Sequence, residues 1–344
     1  MIVLDSYDLI LSLIQSNFYF NSRSNSKPEF LTQFFMRKVI FKLVFYPLLL
    51  TTIFAILGYF GRGNWILDLL SHFKFQYLII LTLGSGILFL LKKRVALVFI
   101  PFIILLGIEV VPIYFGGNKN MDLTNPTKIV CINLLSSNNN FSKVEQYISE
   151  KSPDIVVLLE LTNLWQNMLR PVLDDYEYHF TVSRLDNFGI AVYSKVQLTD
   201  LRDLKVGNAQ LPSIAGEFYI DSLPVTFIAT HPLPPISYEE FESRNSQLSE
   251  LAKISSEIDH EVILIGDLNT SSFSAHFKDL VKRSNLIDSR KGFGLKTSWP
   301  VGAELFHITL DHCLISDGLF IKTRETGSDV GSDHLPIYVE IGVE

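Results

Sequence analysis

The run Glu261–Thr270, EVILIGDLNT, sets a carboxylate and an amide two residues apart at the end of an apolar stretch. Val262 to Ile265 reads as a strand buried on both faces, closed by Gly266. Asp267 and Asn269 then fall on the same side, provided the backbone stays extended beyond the glycine. At the rim of a rigid sheet, the carboxylate can polarise a water and the amide can donate to a phosphoryl oxygen. Asp and Asn are also ordinary turn formers, so the stretch needs partners elsewhere to mean catalysis.

Other polar residues stand at the ends of apolar runs. Lys128 to Leu135, KIVCINLL, reads as a strand with Asn133 toward its end. Phe141 to Lys151 reads as a helix opened by a Ser142/Glu145 capping box and stopped by Ser152-Pro153-Asp154. Ile155 to Leu159 is a second buried strand, closed by Glu160. Strand, helix and strand make a βαβ unit, and ligands gather at the carboxyl ends of strands in such sheets.

Val225 to Thr230 reads as a strand that delivers His231 ahead of PLPP. Ser237 and Glu240 form a capping box that opens a helix to about Ile258, with Arg244 and Asn245 in its early turns. Arg244 is a candidate substrate contact, set against a plain solvated helix residue. Thr309 to Ile315 is a strand carrying Asp311 and His312, and Asp333-His334 precedes a final strand from Ile337 to Ile341. Trp299, in the loop from Arg290 to Pro300, suits substrate stacking or simple packing equally.

The elements that must hold these residues follow a basic, apolar N-terminal third. Charge runs from +5 over residues 1–115 to −12 over residues 126–344. Val39 to Phe60, Tyr77 to Leu91 and Val95 to Phe115 are long and apolar enough to read as three spans, the second needing residues 73–76 to complete it. Lys and Arg concentrate before the first span and in Lys92-Lys93-Arg94, which places both on the cytoplasmic side and everything after Phe115 outside a plasma membrane. Glu109, near the outer end of the third span, reads as interfacial. The expected division is an extension at 1–36, a membrane region at 37–115, a linker at 116–127 and a catalytic domain at 128–344. Cys131 and Cys313 sit in apolar strand-like runs and read as buried free thiols.

In type and order, Asn133, Glu160, His231, Asp267 with Asn269, Asp311, and Asp333 with His334 resemble the motif set of the endonuclease/exonuclease/phosphatase superfamily. That superfamily includes DNase I-like nucleases, apurinic endonucleases, inositol polyphosphate 5-phosphatases and neutral sphingomyelinases. The stretches GIAVYSK, THPLPP and GSDHLPI look most like its bacterial membrane-anchored members, and the likeness covers about residues 126 to 344. It implies a four-layered α/β sandwich of two mixed sheets with helices outside, preceded here by transmembrane helices.

The resemblance also implies roles. Glu160 is the main ligand of Mg²⁺ or Mn²⁺, with Asp333 and Asn133 completing or supporting the site. Asp267 orients or deprotonates water, Asn269 and His231 bind phosphoryl oxygens, and Asp311 pairs with His334. The implied reaction is metal-assisted hydrolysis of a phosphodiester, with a phosphatase or phospholipase C-type activity as the alternative and a catalytically dead membrane scaffold as the reading from another class.

Such chemistry fits the residue types, because in-line attack on an anionic phosphodiester needs a cation and fixed donors. There is no Cys/His cluster, Walker loop or GxSxG elbow to support another mechanism. The sequence GDLNTSS and the stretch ITLDHCLI depart from the 5-phosphatase pattern. The acidic domain lacks a broad basic footprint for nucleic acid, although Lys282, Arg283, Arg290, Lys291 and Lys296 could serve as a local patch. No protein partner is evident.

Overall fold

The computed structural model describes residues 27–344. The first helix, α1, runs unbroken over Lys27–Leu57, so the expected division at residue 36 falls inside one helix, and residues 1–26 lie outside the described part. After a 3₁₀ turn at Gly58–Gly63 come α2 (Trp65–Ser71) and α3 (Lys74–Leu90), then, past a second 3₁₀ turn, α4 (Ile100–Val110). Two segments, Thr32–Gly63 and Arg94–Tyr114, are long and apolar enough to cross a membrane. The bent pair α2 and α3, at 58°, makes up to a third. These helices share a small core of their own around Leu48, Leu81, Leu88 and Phe99.

The β-rich part begins with β1 (Thr127–Asn133), α5 (Phe141–Lys151) and β2 (Ile155–Leu159). The N-cap of α5 is Asn140, two residues before the Ser142 that a Ser142/Glu145 box requires there, so that box does not form. Next come α6 (Asn163–Met168), α7 (Arg170–Leu173), β3 (Tyr178–Val182), β4 (Ile190–Ser194), β5 (Thr199–Val206), β6 (Leu211–Ile220) and β7 (Leu223–Ala229). The chain continues through α8 (Tyr238–Ser256), β8 (Glu261–Asp267), α9 (Ala275–Ser284), β9 (Ile287–Asp288), β10 (Asp311–Ile315), β11 (Phe320–Thr326) and β12 (Ile337–Gly342). Ser237 caps α8 by accepting from the Glu240 amide, as its sequence foretold.

Two six-stranded mixed sheets result, in the orders β11-β12-β1-β2-β4-β3 and β5-β6-β7-β8-β10-β9. Each is built on one parallel pair joined through a helix, β1 with β2 and β7 with β8. Alternation explains the layering. Ile129, Cys131, Ile155, Val157, Ile263 and Ile265 point into the core between the sheets. Val130, Ile132, Val156 and Leu158 face α5 and α6, while Val262 and Leu264 face α8 and α9. Strands buried on both faces therefore carry continuous apolar runs, and the four-layered sandwich follows. Both cysteines are buried free thiols.

The N-terminal helices dock on the second sheet's outer side. Arg62 pairs with Asp279 of α9. Lys74 donates to both carboxylate oxygens of Glu109 at 2.8 Å, and Lys278 of α9 reaches the same carboxylate. Glu109 is thus an interfacial ion-pair hub. The carbonyl of Ile113 accepts from the amides of Gly292 and Gly294. The linker stretch runs along β11, where the Asn120 amide donates to the Ile321 carbonyl and the Ile321 amide to the Asn118 carbonyl.

Candidate active site

Parallel strands deliver their last residues, and antiparallel strands their first, to the same edge of a sheet. That is how β1, β2, β7 and β8 meet the starts of β10 and β12 at one rim. Asn133 ends β1, Glu160 follows β2, His231 follows β7, Asp267 ends β8, Asp311 opens β10, and Asp333-His334 lies just before β12. Asn133, Glu160, His231, Asp267, Asn269, Asp311 and His334 are all buried, with Asp333 half-buried.

The centre is a carboxylate pair bridged by an imidazole. Asp267 and Asp311 are direct cross-strand partners, and like charges so placed repel. His334 offsets this: its Nδ1 lies 2.8 Å from Asp311 Oδ2 and its Nε2 3.5 Å from Asp267 Oδ2. Burial works against a charged imidazole, but the two carboxylates outweigh it and raise His334 to about 10. Burial likewise opposes ionisation of Asp267, yet His334 and His231 beside it hold that carboxyl well below the usual range.

His231 Nε2 stands 3.5 Å from the same Asp267 oxygen, and its buried Nδ1 has no hydrogen-bond partner among the described residues. Asn133 Nδ2 is 3.2 Å from both Glu160 Oε1 and Asp267 Oδ2, so it ties the two carboxylates together. Glu160 takes a left-handed backbone, φ 58°. Its Oε2 accepts from the Ser136 amide at 3.0 Å.

Three expectations change. Strand β8 does not stop at Gly266 but runs to Asp267. The backbone then turns, with Asn269 at φ 48°, so Asp267 and Asn269 do not share an extended side. The Asn269 amide group donates to the Pro232 carbonyl at 2.9 Å, and its N–H holds Asp267 Oδ1. Arg244 does not reach toward substrate. It is fully buried, with its guanidinium on Asp68 of α2 at 2.8 Å, on the Asn269 carbonyl at 3.0 Å and on Asn245. Arg290 leaves the local basic patch in the same way, buried on Asp288.

Trp299 has a specific task. Its Nε1 donates to Asp333 Oδ2 at 3.1 Å, which orients that carboxylate. Sequence reasoning missed Ser136, which binds Glu160 through its backbone, and Ser298, whose Oγ accepts from the amides of Leu310 and Asp311. Backbone contacts carry no side-chain signature, so only a periodic rim position marks Ser136. His312, next to Asp311, points the other way: it is buried against Phe277 and bonds the Thr270 carbonyl at 2.8 Å. Burial and Arg290 push it down to about 3, so it is a neutral core residue.

Asp267, Asp311 and His334 present potential ligand atoms all within 4.8 Å of one another. A doubly protonated His334 has no lone pair to give, so this cluster is better read as a closed carboxylate–imidazolium relay. Glu160 and Asp333 fit a cation better. Among the described residues neither forms an ion pair with a basic side chain, and Asp333 Oδ1 is buried with no partner. A buried carboxylate without a countercharge is costly, and oxygen donors of this kind suit a hard divalent ion.

Residues 130–334 match the model of the Endonuclease/Exonuclease/phosphatase family. No curated protein matches the chain. Among solved structures, D. rerio TDP2 humanized by 14 mutations is similar at 17% identity and TM-score 0.53, over 64% of this chain and 100% of that one. The human Nocturnin catalytic domain, with bound sulfate anion, is similar at 18% and 0.53, over 65% and 96%. A family protein from Bacteroides vulgatus is similar at 15% and 0.53, over 64% and 100%. At these identities the likeness is one of fold. With the family model covering most of the sandwich, the chain belongs to the Endonuclease/Exonuclease/phosphatase family.

Proposed function

We propose that this protein is a membrane-anchored, divalent-metal-dependent phosphodiesterase whose catalytic part lies outside the plasma membrane. The observation that carries the reading is the Asp311–His334–Asp267 relay beside a Glu160 carboxylate that no basic residue neutralises among the described residues.

Glu160 and Asp333, with Asn133 beside Glu160, are the residues that would hold Mg²⁺ or Mn²⁺; when bound, such an ion would neutralise charge on the phosphoryl oxygens. Asp267, held ionised by His334 and His231 beside it, orients the attacking water along the line of displacement or takes its proton. The charged His334 offers positive charge where negative charge develops, and Asp311 keeps it charged and aimed. His231 Nδ1, which has no hydrogen-bond partner among the described residues, is available to a phosphoryl oxygen or the leaving group. Water adds to phosphorus, one ester oxygen departs as an alcohol, and a phosphomonoester remains. No side chain becomes covalently attached.

Topology supports the anchored arrangement. Residues from Arg62 to Gln76 and from Glu109 to Asn118 touch the catalytic part, whereas Lys92-Lys93-Arg94 lies at the opposite ends of α3 and α4. With the basic turn on the cytoplasmic side, the sandwich falls outside.

The test uses the full chain in detergent with Mn²⁺ and bis(p-nitrophenyl) phosphate. Glu160→Gln and Asp267→Asn are expected to lose at least 100-fold in rate with unchanged thermal unfolding. Unaltered hydrolysis in both variants would overturn the reading. A reporter active only in the cytoplasm, fused after Glu344, is expected to be silent.

A further inference from the structure

We propose that the substrate is a phosphodiester borne by a membrane lipid and met at the bilayer surface, with the loop between Trp299 and Ile308 as the element that brings the catalytic edge down to it. This rests on the phosphodiesterase reading above.

The base of that loop belongs to the active site. Trp299 and Ile308 exchange backbone hydrogen bonds, 3.1 Å from the Trp299 amide and 2.6 Å from the Ile308 amide. Trp299 also donates to Asp333, and the neighbouring Ser298 Oγ accepts from the Asp311 amide at 3.2 Å. The tip, a 3₁₀ turn at Glu304–Phe306, presents Leu305 at 83% and Phe306 at 60% exposure. Two adjacent large apolar side chains held out from a compact domain mark a contact surface.

Their neighbour says which surface. The Phe306 ring packs edge-on against Phe73 at 6.3 Å, and Gln76 donates to the His307 carbonyl at 2.8 Å. Phe73 and Gln76 lie at the outer end of α3. Only about 9 Å along that helix, at 1.5 Å per residue, Ile79 is turned outward. Leu305 and Phe306 therefore sit where the spanning helices leave the hydrocarbon. An outward and return excursion of three residues each way covers roughly 10 Å. That is of the order of the headgroup zone of one leaflet, about 5–8 Å, so a lipid phosphate lies within reach of the loop's base.

Charge argues against the main competitor. A nucleic acid requires a basic track for its phosphates, whereas residues 126–344 carry 18 Lys and Arg against 30 Asp and Glu. Arg244, Arg290 and Arg324 of that set are buried.

The full chain, solubilised and supplied with Mn²⁺, is assayed on bis(p-nitrophenyl) phosphate, on mixed phosphatidylethanolamine/phosphatidylglycerol vesicles, and on a single-stranded DNA oligonucleotide. The wild type is expected to hydrolyse the soluble ester and the vesicle lipid. The double variant L305D/F306D is expected to keep soluble-ester activity within twofold, which also shows that it folds, and to lose at least tenfold on vesicles. Soluble-ester hydrolysis without lipid hydrolysis, full vesicle activity in the variant, or faster cleavage of DNA than of lipid would each overturn the inference. No activity on any of the three would instead overturn the phosphodiesterase reading beneath it.

Discussion

Arg244 of α8 and Asp68 of α2, 176 residues apart in sequence, form an ion pair of 2.8 Å with both side chains wholly buried. The same guanidinium holds the carbonyl of Asn269, whose N–H holds Asp267, and Asp68 also accepts from Ser274 at 2.7 Å. The N-terminal helices are thereby wired to the backbone that shapes the turn after β8. Breaking one partner of a buried pair leaves a bare charge, at a cost of about 3–5 kcal/mol. Asp68→Asn and Arg244→Gln are each expected to destabilise by that order, and the double variant by clearly less than their sum. Chemical unfolding of the full chain, read as a double-mutant cycle, measures this; strict additivity would show that the pair is not coupled.

Asp311 is the nearer of the two carboxylates that keep His334 charged. His334 is raised in the folded protein, so its contribution is complete below its ordinary value and is lost as pH rises through about 10. Removing the Asp311 charge lets burial dominate. Asp311→Asn is expected to move the alkaline limb of kcat/KM to lower pH by at least one unit. A pH–rate profile of variant and wild type decides it.

A cation held by Glu160 has a readout separate from turnover. A ligand that binds only the folded state stabilises it by about 2.7 kcal/mol at a hundredfold excess over Kd. Mn²⁺ is expected to raise the Tm of the wild type and to leave that of Glu160→Gln almost unmoved, with EDTA reversing the shift. An equal Mn²⁺ response in both proteins would remove Glu160 from the site.

Asp288 gives the fold an acid-sensitive point away from the chemistry. Burial opposes its ionisation, but Arg290, gripping it at 2.6 Å, holds it down at about 2. Its stabilisation, roughly 2 kcal/mol, is therefore present above the ordinary carboxylate value near 4 and fades as pH falls toward 2. Urea unfolding between pH 6 and pH 3 is expected to show a shallower acid loss in Asp288→Asn than in the wild type.

Gly266 is needed for the close approach of β8 to the end of β7. It has φ +153°, and a Cβ there would stand 1.8 Å from the Thr230 carbonyl oxygen. Gly266→Ala is expected to cost about 1–3 kcal/mol by overpacking and to slow turnover by displacing His231. Thermal unfolding and a rate on the soluble ester check both effects together.

Much of the frame was legible in the linear chain. Val130 to Asn133, Ile155 to Glu160 and Val262 to Asp267 announce doubly buried strands with polar ends, because burial on both faces leaves no position for a polar residue until the rim. Two edge strands escaped that logic. Tyr178–Val182 is only partly buried, and Thr199–Val206 reads TDLRDLKV, with the charges that keep an exposed edge from pairing.

Local periodicity sufficed for the doubly buried strands and the apolar helices, since strand burial and helix hydrophobicity are written there; the four-layered sandwich was legible only through the resemblance that the rim residues carry by type and order. Tertiary packing alone settled what the polar atoms do. It turned Asn269 back onto Pro232, sealed Arg244 against Asp68, and set Trp299 on Asp333. The physical reason is that a hydrogen bond or ion pair depends on a partner's position in space, and here the partners come from distant parts of the chain.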